Sequence, residues 1–547
     1  MDFAMGLLAS VLPGGTVSPA RSRRRPAVHS RIAGQTGPRH LAEPRPIRVY
    51  LASISSGAAI SVAWWLPGTV ASALLGWSAA FLLVYAVRMR RSYLPAYCCG
   101  LVCCSLGFYW VYDTVSVFAG MGAVLAAMIF TAFVVLSAVQ FLLFAFIHHN
   151  LGPSFDAHAL RSPTALVLSE FLAIRLFPWH YGHTQIALTP LVQIADIGGA
   201  MLVSFLMFWL AEVGVRAIVF QERRRSFLIP VILLGLSLGY GLVMIRTFSS
   251  PRGEEQEIIL VQGNIPIAKR FDLNVVRRNV MKLHELSRKA ARANALIVWP
   301  EGAIPDFLPA DIGSVRNAPV LPWMGNGSAF LVGTYAQDRG QKRYNAAFAV
   351  HPDGTVPPPY FKQILIPFGE YMPFSSVFPW LGEMNPGACI FTAGTEAKVL
   401  DYPMHRKDGT GYNLKLAPII CYEDTLPALS RTATLAGAEL LVNLTYDTCF
   451  GHSVAPDEHH LIAAFRAIEN RRFLVRATNT GLSAVVDPLG RTIARIPAFS
   501  EGTAAARVRL LKYQSAYTNF VQERPWWVLL VVSLGAIVER RRRGVPA

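Results

Sequence analysis

Long apolar stretches are the feature of this sequence that most constrains its fold. From about residue 48 they follow one another, each close to the ~20 residues that a helix needs to cross a bilayer. A mean hydropathy of +0.37 and 16% charged residues, against roughly 25% in soluble chains, point the same way. We predict eight membrane-spanning helices, at residues 48–66, 69–87, 95–112, 118–147, 164–179, 191–215, 227–246 and 525–538.

The positive charge of the chain predicts how these helices are oriented. The net charge is +17, and arginine clusters at residues 88–91, 223–225 and 540–543 follow the second, sixth and eighth predicted helices. Cytoplasmic loops of membrane proteins are rich in arginine and lysine, so we expect both termini in the cytoplasm and residues between helices seven and eight outside it. This placement disfavours a nucleic-acid partner. Only 7 cysteines in an apolar chain exclude a disulfide scaffold and a disordered protein.

The composition changes along the chain and predicts five regions. We expect a basic flexible tail at 1–47, seven membrane helices at 48–247, a catalytic domain at 254–522, an eighth membrane helix at 525–540 and a short cytoplasmic tail at 541–547. In the catalytic region, short runs rich in valine and isoleucine alternate with helix-like segments. That alternation is typical of an α/β domain in which helices cover the sheets.

Three reactive residues follow apolar runs in this α/β region. Glu301 follows the run that ends at Trp299, and Cys421 follows the apolar run 417–420. Helix amides behind a cysteine lower the pKa of its thiol, so we expect a reactive thiolate at Cys421. Lys362 lies in a largely apolar segment, where an ammonium is costly without an acidic neighbour. Taken one at a time, these residues are also compatible with surface charges and a core thiol.

The order of the three residues is more specific than any one of them. They lie in the motifs Trp299-Pro300-Glu301, Phe361-Lys362-Gln363-Ile364-Leu365-Ile366-Pro367-Phe368-Gly369-Glu370 and Ile419-Ile420-Cys421-Tyr422-Glu423. This order resembles the nitrilase superfamily, whose members use a Glu-Lys-Cys triad. Because the triad region lies between predicted membrane helices, the chain resembles the apolipoprotein N-acyltransferase family in particular. The resemblance extends from about residue 48 to 540.

The resemblance implies a fold and a role for individual residues. The fold is a nitrilase-like α-β-β-α sandwich joined to an all-α transmembrane bundle of eight helices. Glu301 is expected to act as general base, Cys421 as nucleophile and Lys362 as the cation that stabilises the oxyanion. Further residues are expected to bind substrate or support the triad: Glu370, Tyr422, Glu423, Phe368 and Pro373. A helix cap for Glu370 and a packed turn for the last two are the plainer alternatives.

The resemblance also implies a reaction. An acyl chain would pass from a phospholipid to Cys421 as a thioester, and then to the N-terminal α-amino group of a diacylglyceryl-cysteine lipoprotein, with ping-pong kinetics. The expected setting is the bacterial inner membrane, with a periplasmic catalytic domain, a monomeric chain, and neither a cofactor nor a metal. Two alternatives remain: a membrane-tethered carbon-nitrogen hydrolase and a catalytically silent scaffold. Cys449 stands where many family members carry a bulky aromatic residue, which bears on acyl-chain preference more than on the chemistry.

Overall fold

The structure is a computed structural model that describes residues 45–118, 120–222, 224–265, 273–367, 369–372, 377–378, 391–406 and 408–543. Its first half is helical. The helices are α1 (Pro46–Trp65), α2 (Val70–Met89), α3 (Leu94–Gly107), α4 (Trp110–Asp113), α5 (Ala123–Asn150), α6 (Pro153–Ala157), α7 (Arg161–Leu172), α8 (Thr189–Val192), α9 (Ala195–Ile218) and α10 (Leu228–Phe248). Within the described residues, five helices are long and apolar enough to span a membrane, or six if α3 and the bent segment after it form one span.

Three of the eight predicted spans do not correspond, in the residues that the structure describes, to a single helix that is long and apolar enough to cross a membrane: 95–112, 164–179 and 525–538. The predicted span 164–179 corresponds to α7, which has 12 residues and ends at Leu172. The chain turns after that residue, since the Arg175 guanidinium donates back to the carbonyl of Glu170 at 2.7 Å. The predicted last span corresponds to a helix of 19 residues, Arg524–Arg542, whose final turn carries three arginines. The count of eight spans stays a prediction.

The C-terminal half contains two six-stranded sheets. The strands are β1 (Glu254–Gln262), β2 (Leu296–Pro309), β3 (Gly313–Ser314), β4 (Ala329–Gln337), β5 (Arg343–Val350), β6 (Thr355–Val356), β7 (Tyr360–Phe361), β8 (Leu400–His405), β9 (Gly411–Ile420), β10 (Leu440–Thr445), β11 (Phe473–Thr478), β12 (Ser483–Val486), β13 (Thr492–Ile496) and β14 (Gly502–Leu510). One sheet has the order β14-β1-β2-β4-β5-β7, and the other has the order β13-β12-β11-β10-β9-β8. In the first sheet the neighbouring strands β1, β2 and β4 run parallel, and in the second sheet β9, β10 and β11 do so.

The sheets are covered by three helices: α11 (Leu273–Ala290), α12 (Pro427–Leu435) and α13 (Ala455–Asn470). Side chains alternate between faces along a strand, so each sheet carries two apolar layers. Ile258 and Leu260 of β1 pack between the sheets, whereas Ile259 and Val261 pack on the outer face with Leu283 of α11. The second sheet is covered on its outer face by α12 and α13. The predicted α-β-β-α layering is therefore what the described residues form.

Helix α13 connects the sheets to the membrane helices. Ala463 and Ala467 face the second sheet, while Ile462 and Phe465 belong to the apolar cluster of the membrane helices. At the end of α13 the buried guanidinium of Arg471 pairs with Asp196 of α9 at 2.7 Å. The two halves of the chain therefore share a core, which places the ends of β9 and β10 close to the helix bundle.

Candidate functional site

Cys421 lies in a strained turn directly after β9. Its φ is +52°, a region that residues other than glycine rarely adopt, and a short 3-10 helix, Cys421–Thr425, begins at this residue. The side-chain amide of Asn443 on the neighbouring strand donates to the Cys421 carbonyl at 3.3 Å. Strained backbone of this kind costs about 1–3 kcal/mol, and it persists only where surrounding contacts hold it. The sheet thus presents the thiol at the carboxyl end of its parallel strands.

Glu301 is positioned by an irregularity in β2. The register of β2 against β4 shifts between Trp299 and Ile304, and Gly302 has a φ of +60°. The bulge brings the β2 backbone onto Gly333 of β4. A Cβ at residue 333 would lie 2.6 Å from the Glu301 Cα and 2.4 Å from the Pro300 carbonyl oxygen. Only glycine fits at this approach, so Gly333 helps to set the place of the Glu301 carboxylate.

Lys362, immediately after β7, is held between two carboxylates. Its Nζ lies 2.7 Å from Glu370 Oε2 and 3.7 Å from Glu301 Oε1. The side-chain amide of Asn345 on β5 donates to both carboxylates, at 2.6 Å to Glu301 and 2.8 Å to Glu370. Glu370 also accepts from the backbone N–H of Ile366 at 2.9 Å. A lysine and an asparagine thus bridge two acids in a buried cluster.

The electrostatics of this cluster set the protonation of Lys362 and Cys421. Burial by itself would lower the pKa of Lys362, but the Glu370 and Glu301 carboxylates outweigh it and raise that pKa. Burial, and then Glu301, raise the pKa of the Cys421 thiol well above its usual value, against the opposing effect of Lys362. The expectation of a thiolate at rest is therefore wrong. The neutral thiol is the form of Cys421 that its surroundings favour.

Glu423 ties the turn of Cys421 to the segment that follows Lys362. Its fully buried carboxylate accepts from the backbone N–H groups of Ile420, Gln363 and Ile364 at 2.7, 2.6 and 3.1 Å, and from the Tyr360 hydroxyl at 2.9 Å. Burial raises the pKa of Glu423 to about 7, even though these donors favour its charged form. The residue links two loops that would otherwise be independent of each other.

An apolar cavity of about 490 Å³ opens onto Cys421. The membrane helices and the segment after α7 supply one wall, and the C-terminal domain supplies the other. The residues from the helical half are Trp64, Phe108, Trp110, Phe177 and Trp179. Those from the C-terminal half are Ile366, Cys421, Tyr422, Thr425, Phe450, Ala455, Glu458, His459 and Ile462. Tyr422, predicted to bind substrate, thus lines the same space as the nucleophile.

A second cavity, of about 320 Å³, lies against Glu301. It is lined by residues before and after the bulge of β2, together with Asn279, Tyr446 and Asn479. Cys421 lines the first cavity and Glu301 lines the second.

The remaining residues considered in the sequence analysis lie outside this cluster or outside the described part of the chain. Phe368 and Pro373, predicted to bury acyl chain, lie outside the described residues. Cys449 packs partly buried against the apolar cluster of the membrane helices. In the described part of the chain, no group of three or more histidine, cysteine or acidic residues is arranged to hold a metal.

Three residues of this site were not predicted from the sequence. Asn345 lies on β5 and is buried between Glu301 and Glu370. Glu458 and His459 lie in the wall of the Cys421 cavity. Their neighbours in the site come from distant segments, so no local pattern of the sequence marks these residues.

Comparisons with known proteins define first the class of the C-terminal half. Residues 260–517, which contain both six-stranded sheets, match the family model for carbon-nitrogen hydrolases. Residues 56–213 match the model for the N-terminal domain of apolipoprotein N-acyltransferases. The chain also aligns with the solved structure of Saccharomyces cerevisiae Nit3, a member of branch 10 of the nitrilase superfamily. That alignment has 16% identity and a TM-score of 0.36, and it covers 47% of this chain and 90% of Nit3.

Full-length relatives then narrow the class to one family. The apolipoprotein N-acyltransferase of Geobacter metallireducens is 28% identical over 91% of this chain and 97% of its own length. The enzyme of the same name from Vibrio parahaemolyticus is 28% identical over 85% of this chain and 92% of its own. The enzyme of that name from Pseudomonas syringae is 29% identical over 81% of this chain and 87% of its own length. The two family models and these relatives together show that the chain belongs to the apolipoprotein N-acyltransferases.

Proposed function

We propose that this chain transfers an acyl chain from a phospholipid to the α-amino group of a diacylglyceryl-cysteine lipoprotein, through a thioester on Cys421. The observation that carries the proposal is the apolar cavity at Cys421, to which the helical half of the chain contributes five aromatic side chains. A space of this kind suits a fatty acyl chain. A tethered hydrolase of small amides would have no use for it.

In the proposed first half reaction, Glu301, Lys362 and Cys421 each have one role. Glu301 takes the proton of the Cys421 thiol, and the sulfur attacks the carbonyl carbon of the phospholipid ester. The oxyanion that forms is stabilised by the charged Lys362, which Glu370 and Asn345 hold in place. The carbon–oxygen bond then breaks, Glu301 returns the proton to the leaving alcohol, and a lysophospholipid departs. In the second half, the acceptor amine attacks the thioester carbon and Glu301 takes a proton from its nitrogen. The carbon–sulfur bond breaks, the amide leaves, and Glu301 returns the proton to the Cys421 sulfur.

We also infer the topology of the chain, with eight crossings, cytoplasmic termini and a periplasmic catalytic domain. Support comes from the ends of four helices that meet at one side. Arg88, near the end of α2, pairs with Asp156 at 2.6 Å, beyond the end of α5. Arg216 in α9 donates to the carbonyl of the same aspartate. Arg540, near the end of α14 (Arg524–Arg542), donates to the carbonyl of His149 at 3.0 Å. Arginine-rich helix ends at one side are typical of a cytoplasmic face.

A labelled phospholipid tests the proposed function. Purified protein in lipid nanodiscs is incubated with a phospholipid that carries a radiolabelled acyl chain, and a diacylglyceryl-cysteine peptide is added afterwards. We expect a hydroxylamine-sensitive adduct on the protein, which the peptide then discharges as a labelled amide. Cys421→Ala should abolish the adduct, and Cys98→Ala, a partly buried cysteine of α3, should retain it. Release of free fatty acid without transfer to the peptide would refute the transferase, and so would the absence of any adduct.

A further inference from the structure

The second half reaction releases a proton that the triad does not absorb. An α-ammonium group loses two protons when it becomes an amide nitrogen, while the departing sulfur takes back only one. In the first half reaction, by contrast, the proton from the Cys421 thiol returns to the leaving alcohol. If the proposed function holds, the acceptor must therefore lose one proton to a group other than Glu301. A buried base near the thioester is a direct route, because a charged ammonium is not a nucleophile.

Glu458 has the position and the free atom for this role. It lies on α13, is 5% exposed, and lines the cavity that opens onto Cys421. Its Oε2 accepts from the indole N–H of Trp110 at 3.0 Å. Its Oε1 is buried and has no hydrogen-bond partner among the described residues. A buried carboxylate oxygen without a partner is costly, so the site is built for a donor that it does not itself contain.

The surroundings of Glu458 supply no cation that would occupy this oxygen. The adjacent Asp457 on the same helix is also acidic and raises the pKa of Glu458 further, and the neighbouring His459 is held by Asp424 and Asp447 at 2.7 and 2.9 Å. The Glu458 carboxylate also interacts electrostatically with the thiol of Cys103 on α3. Across the cavity the titratable groups are Cys421 and Tyr422. None of the ion pairs within the described residues involves Glu458.

The aromatic side chains of the cavity suit the same ligand. Trp64, Trp110 and Trp179 line the space beside Glu458. Aromatic faces attract ammonium groups, and the attraction increases where water is excluded. A carboxylate together with indole rings is therefore a recognition site for a primary ammonium.

We propose that Glu458 binds the α-ammonium of the acceptor and accepts its surplus proton, so that the amine meets the Cys421 thioester uncharged. The ammonium passes one proton to the Glu458 carboxylate. The neutral nitrogen attacks the thioester carbon, and Glu301 takes the second proton. The carbon–sulfur bond breaks, the amide forms, and Glu301 returns its proton to the sulfur. Glu458 then releases its own proton to solvent when the product leaves.

The proton affinity of Glu458 agrees with this role. Burial raises the pKa of Glu458 to about 8. The pKa of an α-amino group is about 8 as well. At pH 7 the bound ammonium first favours the charged carboxylate, so that Glu458 loses its own proton to solvent. Glu458 can then accept the proton of the ammonium at little cost. The headgroup of an ethanolamine phospholipid is also a primary ammonium, so the experiment must separate acceptor from donor.

Glu458→Gln tests the proposal, because glutamine keeps an acceptor for Trp110 but cannot take a proton. The thioester is formed first with labelled donor, and the lipopeptide is then added in a single turnover at several pH values. We expect the transfer rate at pH 7 to fall about tenfold more than the rate of thioester formation. Above about pH 9 the acceptor amine is already neutral, so the deficit should shrink there. Glu285→Gln, an exposed glutamate of α11, is the matched control and should transfer at the wild-type rate.

Three outcomes would overturn the assignment. A Glu458→Gln protein that transfers as fast as wild type at pH 7 would exclude the proton-acceptor role. A deficit of the same size at every pH would indicate packing. Slower thioester formation from an ethanolamine phospholipid, but not from a glycerol phospholipid, would place the ammonium site on the donor. Failure of the wild-type protein to form any thioester would instead refute the proposed function.

Discussion

Replacing Glu423 by glutamine is the sharpest test of how the site is held together. The carboxylate of Glu423 accepts from four donors, two on each oxygen. Glutamine offers one oxygen and one NH₂ group, so one side must lose its acceptor. The less costly orientation turns the NH₂ towards Tyr360, whose hydroxyl can accept, and leaves the N–H of Ile420 without a partner. A buried donor left unsatisfied costs about 1–3 kcal/mol.

The position of that loss matters more than its size. Ile420 directly precedes Cys421, so relaxation of its backbone moves the nucleophile. A displacement of about 1 Å in a reacting group can cost about 100-fold in rate. We therefore expect Glu423→Gln to slow thioester formation about 100-fold and to lower the stability of the C-terminal domain by about 1–3 kcal/mol.

The assay combines single-turnover labelling of Cys421 with chemical denaturation of the protein in detergent. Glu439→Gln is the control, because Glu439 is also largely buried but pairs at 3.3 Å with Lys512, which is exposed. Such a pair contributes at most about 1 kcal/mol. If both variants label Cys421 at the wild-type rate and unfold at the same midpoint, then Glu423 does not position the turn and the reasoning is wrong.

Three further predictions concern other parts of the molecule. Asp196→Asn breaks the buried ion pair between α9 and Arg471, and should destabilise the junction of the two halves by about 3–5 kcal/mol in denaturation experiments. An unchanged midpoint would contradict this. Gly333→Ala places a Cβ against the backbone at Glu301 and should abolish thioester formation while the protein still folds, and normal labelling would show that the bulge is not needed. Burial and Arg476 lower the pKa of His459, but Asp424 and Asp447 raise it to about 9 overall. The stabilisation from charged His459 is thus complete below its unfolded pKa of about 6.5 and lost as the pH rises through 9. His459→Gln should flatten the decline in unfolding free energy measured from pH 6 to 10. A decline as steep as that of the wild type would exclude this role of His459.

Much of the fold follows from periodicity that is local in the sequence. The alternation in β1 sends Ile258 to one face and Ile259 to the other, and that pattern can be recognised without a structure. The limits of α7 could not be recognised, because hydropathy continues past Leu172 whereas the chain turns where Arg175 donates back to Glu170. Likewise, the burial of Cys421 is a property of its surroundings, so helix amides alone led to the wrong protonation state.

By itself, the sequence determined the class of the chain: apolar helices followed by an α/β domain with an acid, a lysine and a cysteine in a diagnostic order. These properties are encoded by residue type and by spacing along the chain. Only the tertiary structure decided which groups share a cavity. Trp110 and Glu458 are separated by 348 positions yet form a hydrogen bond at 3.0 Å. Asn345 joins two acids from different segments. Such partners are brought together when distant segments pack against one another, and no local pattern encodes that packing.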